Sequence, residues 1–340
     1  MTPVIAEALR IIAARKALPR PLAEAAFGDL MDGRATEAQK GAILLGIATR
    51  GETADEIAGA VAALRQRMRR VESRRAPLLD TCGPGGLGRD LFNVSTAAAV
   101  VAAGAGAAVA KHGNRSISSR VGSADVLEAS GIRVDLEPAA AGRVLDDVGL
   151  VFLFAPGFHP AMRELGTVRR ELGVRTIFNA LGPLANPAGA TRQLIGVGRP
   201  ELAGLLADAL AALGSERAIV FHSEVGLDEL VPGSPAAGVE VRGGRTRPWR
   251  FEPADLPLVP VSLAELAGGG AAENARMLAR LLDGEPGPRR EAVLLNAAVA
   301  LVVEGRAASV REGYAQARAA LDGGEAARIF LRSKEASQAA

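Results

Sequence analysis

At 340 residues the chain is long enough for two domains or one large one, and 49% hydrophobic with 23% charged residues is an ordinary globular composition. The 40 Lys and Arg nearly cancel the 38 Asp and Glu, and the resulting +2 is too small to mark a nucleic-acid surface. One cysteine excludes an intrachain disulfide, so nothing asks for an oxidising compartment.

Residues 1–70 read as helices. Ile5, Leu9 and Ile12 recur at helical spacing, as do Ile43, Leu44 and Ile47, and Ile57, Val61 and Leu64. Breaks fall at Pro19-Arg20-Pro21, Asp32-Gly33 and Arg50-Gly51. Glu7 and Arg10 interrupt the first apolar pattern, which makes it an amphipathic helix rather than a signal peptide. The arginine-dense stretch Arg65 to Arg75 reads as a solvated helix end. From Pro77 short apolar runs alternate with helical stretches: Leu78-Leu79-Asp80, Ala107 to Val109, Val151 to Phe154, Leu194 to Val197 and Ala218 to Phe221. Such alternation predicts an α/β fold with βαβ units and a mostly parallel central sheet flanked by helices, beside a small all-helical subdomain. Leu202 to Leu213 reads as a crossover helix, residues 232–262 as a hairpin-like excursion, and the tail from Glu273 as helical. The longest low-polarity run, Ala97 to Ala110, is too short and too rich in Gly and Ala to span a bilayer. The expected setting is cytoplasmic, with no membrane and no nucleic-acid partner.

The chemistry gathers in Asp80 to Gly131. Gly83, Gly85, Gly86 and Gly88 follow the strand ending at Asp80, where backbone N–H groups can approach an anion. Cys82 beside them reads as a small core residue, since no motif activates it. Ser95-Thr96 is read as an N-cap, with the helix start behind it favouring an anion. Lys111-His112-Gly113-Asn114-Arg115 closes the next strand, at the edge where open α/β sheets hold ligands. Phe158-His159, Arg163, Arg169-Arg170 and Arg175 form a second cluster; guanidinium suits carboxylate or phosphate, but the sequence does not choose among these arginines. Asp228-Glu229, in a Gly-containing loop after the strand near His222, is a natural Mg²⁺ pair in a phosphate-handling enzyme.

These segments resemble the anthranilate phosphoribosyltransferase family over nearly the whole chain. The resemblance rests on Phe92-Asn93-Val94-Ser95-Thr96, Lys111 to Arg115, Gly122-Ser123-Ala124-Asp125, Arg175-Thr176-Ile177-Phe178-Asn179 through Gly182-Pro183-Leu184, Asp228-Glu229, and Asn296-Ala297-Ala298. It implies a helical subdomain over residues 1–72, with a helical contribution from about 160–185, and an α/β domain over 73–340. The fold would be that of the nucleoside phosphorylases and phosphoribosyltransferases. It implies transfer of the phosphoribosyl group from phosphoribosyl pyrophosphate (PRPP) to the amine of anthranilate, with Mg²⁺, by a homodimer joined through the helical part. Gly83, Gly85, Gly86, Asn93, Ser95, Thr96, Lys111 and Ser123 would hold PRPP. Ser95, Asp228 and Glu229 would engage Mg²⁺. Gly83, His112, Asn114, His159, Arg169 and Pro183 would line the anthranilate side, with Arg169 on its carboxylate. Lys111, His112 and Arg169 would act by position and charge, and no residue is assigned as a catalytic acid or base.

One departure stands out. The family's loop reads Gly-Thr-Gly-Gly-Asp where this chain has Gly83-Pro84-Gly85-Gly86-Leu87. Pro84 removes a hydroxyl and a backbone N–H, and Leu87 removes a carboxylate that Asp90, three residues on, would have to replace. The alternative is therefore a diverged phosphoribosyltransferase or nucleoside phosphorylase of the same fold with another acceptor.

Overall fold

A computed structural model describes residues 1–85, 90–116 and 120–340. Four helices open the chain: α1 (Pro3–Ala13), α2 (Arg20–Met31), α3 (Glu37–Arg50) and α4 (Ala54–Arg67). Thr36 and Thr53 start α3 and α4 with reciprocal capping boxes to Gln39 and Glu56. The apolar stripes read from the sequence are buried, with Leu9 alone only partly so. Glu56 does more than cap. Fully buried, it also accepts from the Leu18 amide at 2.9 Å and pairs with Arg50 at 2.5 Å, which ties α4 to the end of α3 and to the segment following α1.

The chain continues through β1 (Leu78–Asp80), α5 (Val94–Gly104), β2 (Ala108–Gly113), α6 (Ser123–Ala129), α7 (Pro138–Val148) and β3 (Leu150–Phe154). The short helices α8 (Ala155–Phe158), α9 (Gly166–Leu172) and α10 (Phe178–Leu181) lead back to β4 (Arg192–Gly196), α11 (Glu201–Ala212) and β5 (Arg217–Ser223). A hairpin follows, β6 (Ala236–Arg242) and β7 (Arg245–Phe251), then α12 (Ala271–Leu282), α13 (Pro288–Glu304), α14 (Val310–Asp322) and α15 (Glu325–Ala339). The seven strands form one sheet in the order β3-β2-β1-β4-β5-β6-β7. The first five are parallel and the hairpin adds antiparallel at one edge. The chain winds outward from β1 to β3, then returns to β1's other side as β4. The gap between the carboxyl ends of β1 and β4 is thus a topological switch point, where such sheets bind ligands.

Alternation along the strands separates two cores. Leu194, Ile219 and Phe221 face α5 and α13. Ile195, Val197, Ala218 and Val220 face α11 and belong to the same cluster as the four N-terminal helices. The 160–185 segment joins that second cluster through Leu165, Val168, Ile177, Phe178, Leu181 and Leu184. Phe178 meets Phe27 edge-on at 5.7 Å. Buried Lys40 donates to the Glu164 carbonyl at 2.8 Å, and Arg65 donates to the Leu184 carbonyl at 2.7 Å. The solvated reading of Arg65 is therefore corrected. α4 ends at Arg67, and the Arg65 guanidinium is half-buried because it satisfies a loop carbonyl beside the sheet.

Glu56→Ala would leave Arg50 and the Leu18 and Thr53 amides without their carboxylate. We expect a loss of roughly 3–5 kcal/mol, the cost typical of breaking a buried ion pair, in urea unfolding followed by circular dichroism.

Candidate functional site

The site is built where β1, β2, β4 and β5 end. Gly83 and Gly196 lie there side by side, and a Cβ on Gly83 would sit 2.5 Å from the Gly196 carbonyl oxygen. A Cβ on Gly196 would overlap the carbonyl of Asp228. The loops after β1, β4 and β5 therefore stack at backbone distance, which only glycine allows. Gly85 takes φ +60° with open space around it, a conformation glycine adopts without strain. Gly86, Gly88 and Leu87 lie outside the described residues.

The helix starts within the Asn93 to Thr96 stretch as expected, but the capping reading is corrected. α5 begins at Val94 with Asn93 as its N-cap residue, so Ser95 and Thr96 lie inside its first turn and neither caps it. Asn93 makes no side-chain capping bond either. Its Oδ1 instead accepts from Asn274 Nδ2 at 2.9 Å, while Asn274 Oδ1 accepts from the Gly269 amide. That orientation leaves the Asn93 Nδ2 donor available to a ligand. The Ser95 amide donates to a Glu229 carboxylate oxygen at 3.1 Å, and the hydroxyl of buried Thr96 has no partner. The positive end of α5 thus already attracts an anion, supplied by the protein.

Asp228 and Glu229 are adjacent and half-buried. Burial, then the neighbouring Asp228 charge, pushes the Glu229 carboxyl up to about 8. Burial also raises Asp228. Two hard oxygen donors held against their own ionisation, beside the Ser95 amide, fit a divalent cation such as Mg²⁺. Lys111 is close enough to favour the ionised form of Glu229, but its ammonium is engaged with the Thr81 carbonyl at 2.9 Å and the Thr81 hydroxyl at 3.3 Å.

Beneath Lys111 lies Asp80, fully buried at the end of β1. One of its oxygens accepts from the His112 amide at 3.2 Å and the other from Asn186 Nδ2 at 2.8 Å. Asn186 Nδ2 also donates to the Ala110 carbonyl. Burial raises the Asp80 carboxyl to about 6, opposed by Lys111 and these hydrogen bonds. Asp80, Cys82 and His112 each bring a potential metal-ligand atom within 4.8 Å of the others. Both Asp80 oxygens and both His112 ring nitrogens are already committed to protein partners, and Cys82 is half-buried beside them, so the trio is not a free ligand set.

The other wall carries two histidines. His112 Nδ1 lies 2.9 Å from the Gly182 carbonyl, and His112 Nε2 lies 3.2 Å from His159 Nε2. A carbonyl only accepts, so His112 carries its proton on Nδ1. The bare His112 Nε2 then accepts from a protonated His159 Nε2. Burial holds both rings neutral, with His112 down at about 3 and His159 at about 4. The remaining His159 Nδ1 is buried and makes no well-formed hydrogen bond, although the Ala185 backbone lies near enough to oppose part of the effect of burial. Pro183 is buried next to Gly182, and its carbonyl accepts from Gln193 Nε2.

Among the arginines of that cluster the structure singles out Arg169. Its guanidinium stacks 5.5 Å over the Phe178 ring, four residues before the Gly182 that receives His112. It is half-buried, burial depresses its pKa, and no carboxylate among the described residues pairs with it. Arg163, Arg170 and Arg175 are exposed. Asn114 is exposed; its Oδ1 takes the Arg115 amide, and its carbonyl accepts from the Ser123 hydroxyl and the Ala124 amide. Arg115 is tied to Asp125 and Glu128. Asp90 is exposed and accepts from the Arg120 amide, an arrangement that leaves no sign of the missing loop carboxylate's role.

Sequence reading missed Asp80, Asn186, Asn274 and Gly196 as parts of the site. Asp80 carried a usable signal, a carboxylate ending an apolar strand before a glycine loop. The others gain meaning only from distant partners.

His112, His159 and His222 are the three histidines of the chain, which makes their ring nitrogens assignable. Long-range ¹H–¹⁵N spectra should show His112 protonated at Nδ1 and His159 at Nε2, both unchanged from about pH 5.5 to about pH 8. Either ring titrating near its ordinary value would contradict the buried neutral pair.

Comparison with known proteins agrees with this geometry. A model of the glycosyl transferase family, a/b domain, matches residues 75–327, and one of the glycosyl transferase family, helical bundle domain, matches residues 6–68. Anthranilate phosphoribosyltransferase of Symbiobacterium thermophilum is 47% identical over 327 residues, 96% of each chain. That of Thermomicrobium roseum is 48% identical over 340 residues, covering 99% of this chain and 98% of the relative. The crystal structure of anthranilate phosphoribosyltransferase from Thermus thermophilus superposes with a TM-score of 0.92 at 43% identity, covering 97% of this chain and 99% of that one. The Saccharomyces cerevisiae enzyme in complex with PRPP and Mg superposes with a TM-score of 0.89 at 25% identity, covering 100% and 99%. By sequence over nearly its full length, and by fold, the chain belongs to the anthranilate phosphoribosyltransferase family.

Proposed function

We propose that this protein transfers the phosphoribosyl group of PRPP to the amine of anthranilate, giving N-(5-phosphoribosyl)anthranilate and pyrophosphate, the phosphoribosyl-transfer step of tryptophan biosynthesis. The observation that carries the reading is the pairing of two unlike half-sites across one switch point. One is an anion site at α5 with a carboxylate pair; the other is an arginine without a counterion, stacked beside an uncharged histidine wall.

In the reaction the bond from ribose carbon 1 to the pyrophosphate oxygen breaks, and a bond from that carbon to the anthranilate nitrogen forms. The amine then sheds a proton. Charge grows on the leaving pyrophosphate and, with opposite sign, on the ribose. The chain therefore has to stabilise the first, tolerate the second and align the amine. Gly83 and Gly85, with Gly86 by resemblance, would frame the pyrophosphate. Asn93 Nδ2, the Ser95 and Thr96 side chains and the Lys111 ammonium would supply donors to its oxygens, and Ser123 would bound the same pocket. Ser95, Asp228 and Glu229 would hold Mg²⁺, which when bound supplies positive charge to the phosphate oxygens. On the acceptor side, Arg169 binds the anthranilate carboxylate bidentately, which its planar fork and its lack of a protein counterion favour. His112, His159, Asn114 and Pro183 shape the channel. Anthranilate's amine is already a neutral nucleophile, and two histidines held neutral suit a positioning role better than proton abstraction.

We assign residues 1–72, with about 160–185, to a helical unit that carries the acceptor wall, and residues 73–340 to the PRPP domain. We further propose a homodimer through the helical unit and a cytoplasmic setting. Among the described residues no helix is long and apolar enough to cross a membrane. A different acceptor on the same fold is the competing reading, motivated by Pro84 and Leu87; the unpaired Arg169 favours an acid such as anthranilate.

Mixing protein, PRPP, Mg²⁺ and anthranilate should abolish anthranilate fluorescence with turnover, and no loss at high enzyme concentration would point to another acceptor. Arg169→Ala should raise the anthranilate KM about 10–100-fold, as loss of a charged hydrogen bond does, with little change in that for PRPP; equal effects on both would remove Arg169 from the carboxylate. Because the Glu229 proton must leave before metal binds, Mg²⁺ affinity should strengthen from about pH 6 to about pH 8 with proton release. Calorimetry in buffers of different ionisation enthalpy would detect the release.

A further inference from the structure

Asn296-Ala297-Ala298 is a stretch the proposed mechanism does not use. Asn296 lies mid-helix on α13, 2% exposed, facing the loop after β5. Its Oδ1 accepts from the Leu230 amide at 3.0 Å, and its Nδ2 donates to the Leu230 carbonyl at 2.8 Å. The second Nδ2 proton goes to the Ala292 carbonyl of its own helix at 2.8 Å, which fixes the plane of the amide. One side chain thus satisfies both backbone groups of a fully buried residue, as a neighbouring strand would. That residue follows Glu229 directly. Gly196 at the end of β4 lies so close to the Asp228 carbonyl that a Cβ there would overlap it. The backbone of the carboxylate pair is therefore held at both residue 228 and residue 230 by groups that touch neither carboxylate.

The surrounding chemistry shows why a clamp is needed. Two adjacent carboxylates repel one another, and Asp228 and Glu229 sit in an irregular loop between β5 and β6 without a regular ladder to hold them. A bridge between Ser223 and Leu227 holds the chain just before Asp228, and Asn296 holds it just after Glu229. A divalent ion needs them near their final positions beforehand, because each residue ordered on binding subtracts from affinity.

We propose that Asn296 is a positioning residue for divalent-cation binding, holding the backbone of residue 230 so that Asp228 and Glu229 converge beside Ser95. The proposal rests on the reading of those two acids as metal ligands. It assigns Asn296 no contact with substrate or metal.

The test is calorimetric titration of Mg²⁺ with pyrophosphate into the whole protein and into Asn296→Ala and Asp228→Asn. Asn296→Ala should weaken the Mg²⁺-pyrophosphate complex about 10–100-fold, as loss of an outer support to a metal site does, while the anthranilate KM stays within about twofold. Affinity within about twofold of the unaltered protein, or an equal rise in both substrates' KM, would overturn the positioning role. Asp228→Asn separates the two levels of the argument. If it abolishes binding while Asn296→Ala does not, the clamp fails and the metal site stands; if it too binds normally, the metal assignment itself fails. Should Asn296→Ala not fold, hydrogen exchange on the unaltered, metal-free protein decides. The Leu230 amide should be protected as strongly as core amides of α13, and rapid exchange there would overturn the clamp.

Discussion

A buried carboxylate at the end of the central strand organises this molecule. Asp80 lies on β1, between β2 and β4, with no exposure to water. Such a group is costly unless its oxygens are satisfied, and the chain satisfies them from two directions. The His112 amide ties it to the end of β2, and Asn186 ties it to the segment that carries Gly182 and Pro183. One acid therefore sets the relative positions of the end of β2 and the wall formed by Gly182 and Pro183. Lys111 beside it balances charge and reaches Thr81, the first residue after β1. Without that network the β1 loop, the histidine pair and the wall would have no common reference.

The same principle recurs on a smaller scale. Asn93 is oriented by Asn274, and the Glu229 loop by Asn296. Both asparagines are buried on C-terminal helices that contribute nothing directly to the site. The core cluster of α5, α12 and α13 is thus also a jig, a rigid apolar block with two amides at its edge. The site itself is electrostatically unfinished. A helix N-terminus is met by Glu229, two acids are held against ionisation, and an arginine lacks a carboxylate. Each mismatch is relieved by a partner of opposite charge, which is how a binding site differs from a core.

Much of the architecture was legible beforehand. Alternating apolar runs and helical stretches marked all five parallel strands to within a few residues, along with the hairpin and the helical ends. The chemistry-bearing strand ends, at Gly83, Lys111 and Asp228, were legible too, because glycine, lysine and paired acids after apolar runs are local patterns. Errors came where a local pattern admitted two geometries. Ser95-Thr96 looked like a cap, but Asn93 holds the cap position, and the Ser95 amide is met by an acid 134 residues away. Arg65 looked solvated because arginine usually is, yet a loop carbonyl 119 residues on holds it.

By itself the sequence determined the element types, the mostly parallel sheet and the families of side chains available for phosphate, metal and carboxylate. These follow from burial periodicity and turn chemistry, which depend on near neighbours. Only the tertiary structure decided which arginine of the second cluster is half-buried against an aromatic ring, which nitrogen of each histidine carries its proton, and what Asp80, Gly196 and Asn296 are for. Those outcomes depend on contacts between residues tens to more than a hundred positions apart, brought together by strand order and by which loops can close. No local pattern encodes them, because an amide or carboxylate reads the same wherever it lies until burial and a partner define its role.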